Sequence, residues 1–100
     1  MSGRLIVNEQ QVLGLGRGVR MRFDSARDCW TLMAPERVVV LDEISYEVLH
    51  ECIGSTGTIG QVIDQLAEQF DAPRQEIAAD VIELLQGFAD KKMLIGREYD

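Results

Sequence analysis

A chain of 100 residues with 46% hydrophobic and 27% charged side chains supports one domain with one modest core and excludes a disordered chain. No apolar run approaches the ~20 residues that span a bilayer, and the opening Met1-Ser2-Gly3-Arg4-Leu5-Ile6-Val7-Asn8 is too short and polar for a signal peptide, so a cytoplasmic location is expected. The net charge of −7 is uneven: residues 1–40 carry six arginines against four carboxylates, whereas residues 41–100 carry four basic and thirteen acidic side chains.

Residues 1–17 read as a flexible lead-in, because Gly14, Gly16 and Gly18 alternate and leave no period to pack; residues 18–96 form the expected domain. The Gly-x-Gly-x-Gly spacing neither follows a strand nor opens a helix, and no Lys-Ser/Thr comes after it, which argues against a phosphate loop. Val19-Arg20-Met21-Arg22-Phe23 alternates as a half-buried antiparallel strand, with Val19, Met21 and Phe23 on one face. Asp24-Ser25-Ala26-Arg27-Asp28 turns the chain into a second strand, Cys29-Trp30-Thr31-Leu32-Met33. Ala34-Pro35-Glu36 then turns it into a third. That strand, Val38 to Leu41, does not alternate, so both of its faces are expected to avoid water. A domain this small seldom covers a strand on both sides, and an edge strand left open offers unpaired backbone groups.

Three helices follow. Asp42 suits the N-cap of the first, whose face is marked by Ile44, Val48, Leu49, Cys52 and Ile53 until Gly54 ends it. Thr58 and Gln61 form a capping box before the second, in which Ile59, Val62, Ile63, Leu66, Ala67 and Phe70 make one apolar stripe. Asp71-Ala72-Pro73 breaks it, and Pro73 suits the first turn of the third helix. There Ile77, Ala78, Val81, Ile82, Leu84, Leu85, Phe88 and Ala89 cover an arc of roughly 160°, wide enough for one margin to line a groove. Lys91-Lys92 sits near the negative helix end, and Met93-Leu94-Ile95 makes a short extension. The fold class is therefore α+β and winged-helix-like: a three-stranded antiparallel sheet followed by a three-helix bundle.

Several functions fit poorly. Cys29 and Cys52 lack a CxxC spacing and share one histidine, too few ligands for zinc, and they read as reduced, mostly buried thiols. His50 has Glu47 and Glu51 near it but no nucleophile at a useful spacing, so no enzyme is expected and no cofactor is implied. Winged helices often bind DNA through the third helix, but here Glu76, Asp80, Glu83 and Asp90 would repel phosphates. What remains is an edge strand beside a helix with a broad apolar arc, between which an extended peptide could add to the sheet and drop side chains into the groove.

The run Arg27-Asp28-x-x-x-Leu32-Met33-Ala34-Pro35-Glu36-x-Val38-Val39-x-Leu41-Asp42 resembles the PQQ-biosynthesis D protein family. So do Glu47-Val48-Leu49-x-x-Cys52 and Ile77-x-x-Asp80-Val81-x-x-Leu84, and the likeness runs from about Gly18 to Leu94. It implies a non-enzymatic peptide chaperone that binds PqqA, the precursor of pyrroloquinoline quinone, and presents it to the radical-SAM enzyme PqqE. The family's pattern adds the precursor leader to the third strand, against the third helix. Carried over by position, the peptide-binding residues are Arg37, Val38, Val39, Val40 and Leu41, with Ala78, Val81, Ile82, Leu85 and Phe88. Two departures stand out. Asp42 replaces a frequent asparagine, though either caps a helix, and Ile53-Gly54 replaces a common Asp-Gly, so the loop through Ser55-Thr56-Gly57 is expected to differ in length or contacts. Nucleic acid and membrane are not expected partners, and the chain is expected to be a monomer or homodimer. The alternatives are a recognition domain of another modified-peptide pathway and a winged-helix transcription regulator.

Overall fold

A computed structural model describes residues 5–54 and 57–97. The chain runs β1 (Val12–Leu15), β2 (Arg20–Asp24), β3 (Cys29–Ala34), β4 (Arg37–Leu41), α1 (Glu43–Gly54), α2 (Ile59–Phe70), α3 (Arg74–Asp90) and β5 (Leu94–Arg97). The expected antiparallel meander β2-β3-β4 and the three helices are present, so the α+β, winged-helix-like reading holds. The expected difference in the loop after Gly54 lies outside the described residues at Ser55 and Thr56.

Cross-strand pairing sets which side chains share a sheet face. Met21 faces Leu32, which faces Val39, and Phe23 faces Trp30, which faces Leu41; this side packs on the core except at Phe23, which is exposed. The other side carries Arg20, Arg22, Thr31, Met33, Val38 and Val40. Thr31 is buried there and its hydroxyl donates to the Arg22 carbonyl at 3.1 Å. Only one face of β4 therefore avoids water, against the sequence expectation: Val38 is 55% and Val40 51% exposed. The three helices pack on one another, and the Leu32 side of the meander joins their core.

The lead-in expectation for residues 1–17 is also corrected; residues 1–4 lie outside the described part, but Leu5 to Leu15 is built into the fold. Residues Val12–Leu15 pair with Leu94–Arg97 in a second, two-stranded antiparallel sheet, so the expected terminal extension is a strand as well. The glycines that broke the sequence period permit this. The Gly16 N–H donates to the Met93 carbonyl at 2.8 Å, and a Cβ at Gly16 would lie 2.8 Å from the Lys92 carbonyl oxygen, closer than side chains approach. Upstream, the Gln86 amide donates to the Leu5 carbonyl and accepts from the Val7 N–H, at 2.8 and 2.9 Å.

The same N-terminal segment finishes α2. The N–H groups of Ile59 and Gly60, which a helix cannot satisfy itself, donate to the carbonyls of Gln11 and Glu9 at 2.8 and 2.9 Å. The Thr58–Gln61 capping box forms as expected, with bonds of 2.9 and 3.3 Å. The Arg74 guanidinium joins Glu9 to Asp64 and reaches the Gly60 carbonyl. Its bonds to Glu9 and Asp64 raise the Arg74 pKa, and the same contact lowers that of Glu9. Asp71 ends α2 in the left-handed conformation, and Pro73 stands just before α3, where its carbonyl accepts from Glu76 and Ile77. Leu13, Leu32, Leu49, Ile63, Leu85 and Met93 meet in the fully buried centre.

A candidate peptide-binding edge and groove

Among the described residues β4 is hydrogen-bonded to β3 alone, which makes it an edge strand. The two-residue turn Pro35-Glu36 leaves Ala34 and Arg37 as the closing pair of the hairpin. In a β-turn that pair is the hydrogen-bonded one, and in an antiparallel ladder hydrogen-bonded and non-hydrogen-bonded pairs alternate. Val39 and Leu41 therefore bond inward to Leu32 and Trp30. The N–H and C=O groups of Val38 and Val40 point to the open edge. The same two residues expose their side chains, so apolar surface and free backbone groups coincide.

At the Leu41 end of β4 the chain enters α1. The Asp42 carboxylate accepts the Ser45 N–H at 2.7 Å, capping the helix as expected, and this bond holds the Asp42 carboxyl below the usual carboxylate range. Beside it runs a groove with Ile44 and Val48 on one wall, Leu66 and Phe70 at the end of α2, and Ile77, Val81, Leu84 and Phe88 on α3. Asp80, Glu83 and Lys91 stand among its polar lining.

The sequence-derived positions divide on α3. At about 100° per residue Ile77, Val81, Leu84 and Phe88 fall within about 60° of arc, and this margin faces the groove. Val81 and Phe88 are thus brought beside the β4 end, though each is largely buried. Leu85 is wholly buried and offers no surface to a guest. Ala78 and Ile82 open onto a separate hollow with Gln86 and Gly87, on the flank where Gln86 holds the N-terminal segment. On β4, Arg37, Val38 and Val40 are exposed, Val39 is half-buried and Leu41 is buried.

Ile44 and Phe70 escaped the sequence reading. Helical periodicity placed both on core faces, yet they are 70% and 54% exposed. Each occupies a helix terminus next to the groove, where the stripe runs past the core. Ile77 and Leu84 were legible as part of the wide apolar arc and of the family resemblance, but not as site residues.

The family model for Coenzyme PQQ synthesis protein D (PqqD) matches residues 29–94, which include β3, β4 and all three helices. The chain belongs to the PqqD family. It is 46% identical over 80 residues to a PqqA binding protein of Bradyrhizobium diazoefficiens, covering 80% of this chain and 77% of that one. A PqqA binding protein of Xanthomonas oryzae is 48% identical over 80 residues, covering 80% and 86%. Among solved structures, the chain is similar to the solution structure of the PqqD truncation of Methylobacterium extorquens PqqCD, described as a functional, stand-alone recognition element for ribosomally synthesized and post-translationally modified peptides. The TM-score is 0.71 at 35% identity, covering 89% of this chain and 94% of that one. The crystal structure of PqqD from Xanthomonas campestris aligns with a TM-score of 0.51 at 47% identity, covering 74% and 81%. Among the described residues no helix is long and apolar enough to cross a membrane.

Proposed function

We propose that this chain is a non-catalytic chaperone of pyrroloquinoline quinone biosynthesis that works in the cytoplasm. It binds the precursor peptide PqqA as an added strand on β4 and presents it to the radical-SAM enzyme PqqE. The observation that carries this reading is the open edge of β4, where exposed Val38 and Val40 also turn their backbone groups outward. Backbone bonds to a guest strand supply affinity there, and alternate guest side chains enter pockets that supply selectivity. The groove walled by Ile44, Phe70, Ile77 and Leu84 begins where β4 ends, so a peptide paired with β4 reaches it without leaving the surface. The PqqA binding proteins and the recognition element to which the chain is similar favour the same ligand.

Arg37 and Val38 to Leu41, with Val81 and Phe88, remain the proposed peptide-binding set from the sequence; Ile44, Phe70, Ile77 and Leu84 join it. DNA recognition is the weaker alternative, because Glu76, Asp80, Glu83 and Asp90 are exposed on α3. Calorimetric titration of PqqA into the wild-type chain and into Val40→Pro tests the reading. Proline removes one outward donor and leaves the inward bonds of Val39 and Leu41. Affinity is expected to fall about tenfold, the worth of one well-made hydrogen bond. Equal affinity for a folded Val40→Pro chain contradicts strand addition at this edge.

A further inference from the structure

Across the ridge made by Ile44 and Phe70, a second cavity opens at the end of the meander. Its floor is aromatic. Trp30 stacks on Tyr46 at 4.6 Å between centroids with 16° between planes, and Phe23 meets Trp30 edge-on at 5.6 Å and 70°. Phe23 and Phe70 are 45% and 54% exposed, so both present free ring surface. Four carboxylates, Asp28, Asp42, Glu43 and Glu47, line the cavity, and among the described residues no lysine or arginine does. Among the described residues no ion pair neutralises any of the four.

An apolar floor under an anionic rim selects for one kind of side chain. A lysine or arginine lays its methylene stem on the rings and keeps its charged head at the carboxylates. An acidic side chain is repelled, and a purely apolar one fills the floor while stripping water from carboxylates that gain no partner. The N-terminus of α1 contributes the equivalent of about half a positive charge nearby, well short of balancing four carboxylates. The cavity shares Asp42, Ile44 and Phe70 with the groove, so one bound peptide can occupy both.

We propose that this cavity is a specificity pocket for a lysine or arginine side chain of the bound peptide, a proposal that rests on the strand-addition reading above. The pocket lies at the Leu41–Asp42 end of β4. A guest running antiparallel to β4 delivers the cation from the N-terminal side of its added strand, and a parallel guest from the C-terminal side.

The test pairs PqqA, native and with each lysine or arginine singly replaced by glutamine, with the wild-type chain and the double variant Asp28→Asn/Glu47→Gln. Asparagine tolerates the left-handed backbone of Asp28, at φ 54°, so the turn is preserved. Affinity is read by calorimetry and pocket occupancy by the emission of Trp30, the one tryptophan of the chain. Alkylation of Cys29, which also lines the cavity, supplies a second readout. One replacement is expected to weaken binding to wild type about tenfold, as close charge pairs at interfaces do, and to remove the protection of Cys29. The double variant is expected to bind native PqqA about tenfold more weakly and to be indifferent to that same replacement. If wild type tolerates every replacement, or the loss is equal in both proteins while native PqqA still binds, the pocket is overturned and strand addition stands. Absence of any binding between wild type and native PqqA overturns both.

Discussion

Val39 stands opposite Leu32 in the β3–β4 ladder, and this pairing commits its backbone groups to the sheet interior while those of Val38 and Val40 face outward. Proline at neighbouring positions is therefore expected to act in opposite ways. Val39→Pro removes an inward ladder bond and is expected to lower unfolding stability by about 2 kcal/mol or more. Val40→Pro sits at an edge position that tolerates proline and is expected to stay within about 1 kcal/mol of wild type. Urea unfolding of the two variants checks this without any peptide.

The N-terminal segment is expected to be a stabilising part of the domain. Gln86→Ala removes both bonds that hold Leu5 and Val7, and the expected cost is about 1–2 kcal/mol in thermal or urea unfolding. Truncation before Val12 removes the carbonyls of Glu9 and Gln11 that cap Ile59 and Gly60. Amide exchange at those two positions is then expected to accelerate while exchange in α3 stays slower.

The two cysteines are expected to differ sharply. Burial, aided by the neighbouring Glu51 charge, pushes the Cys52 thiol up to about 12, whereas Cys29 is half-buried. At pH 8 an alkylating reagent should label Cys29 in the native protein and reach Cys52 only on unfolding. Because the folded state holds the Cys52 proton more tightly than the unfolded chain, whose thiol titrates near ~8.5, this contribution is complete below about pH 8.5 and is lost as pH rises toward 12. Cys52→Ala should flatten that alkaline decline.

Helix capping at Thr58 has a definite expected size. Thr58→Ala removes the acceptor for the Gln61 N–H and should cost about 1 kcal/mol, visible as a lower denaturation midpoint with an unchanged slope.

The elements that depend on local patterns were readable from residue order. Alternation at Val19 to Phe23, the cap at Asp42 and the Thr58–Gln61 box each act over a few residues, and each appears near its expected place. The β1–β5 sheet was not readable, because its pairing joins Leu15 to Leu94 and its glycines erase the side-chain period while allowing close backbone approach. The groove was half readable. A wide arc on α3 signalled it, but which margin faced outward depended on Gln86 holding the N-terminal segment against the opposite flank. Ile44 and Phe70 show the converse: a helix stripe records apolar periodicity and says nothing of where the core stops.

Amide hydrogen exchange along β4, measured with and without PqqA, tests the central claim most directly. In the free chain Val39 and Leu41 should already be protected by β3, while Val38 and Val40 exchange rapidly at the open edge. Saturating PqqA should slow exchange at Val38 and Val40 by at least about tenfold and leave Val39 and Leu41 little changed. Rapid exchange at Val38 and Val40 with PqqA bound would contradict strand addition on β4.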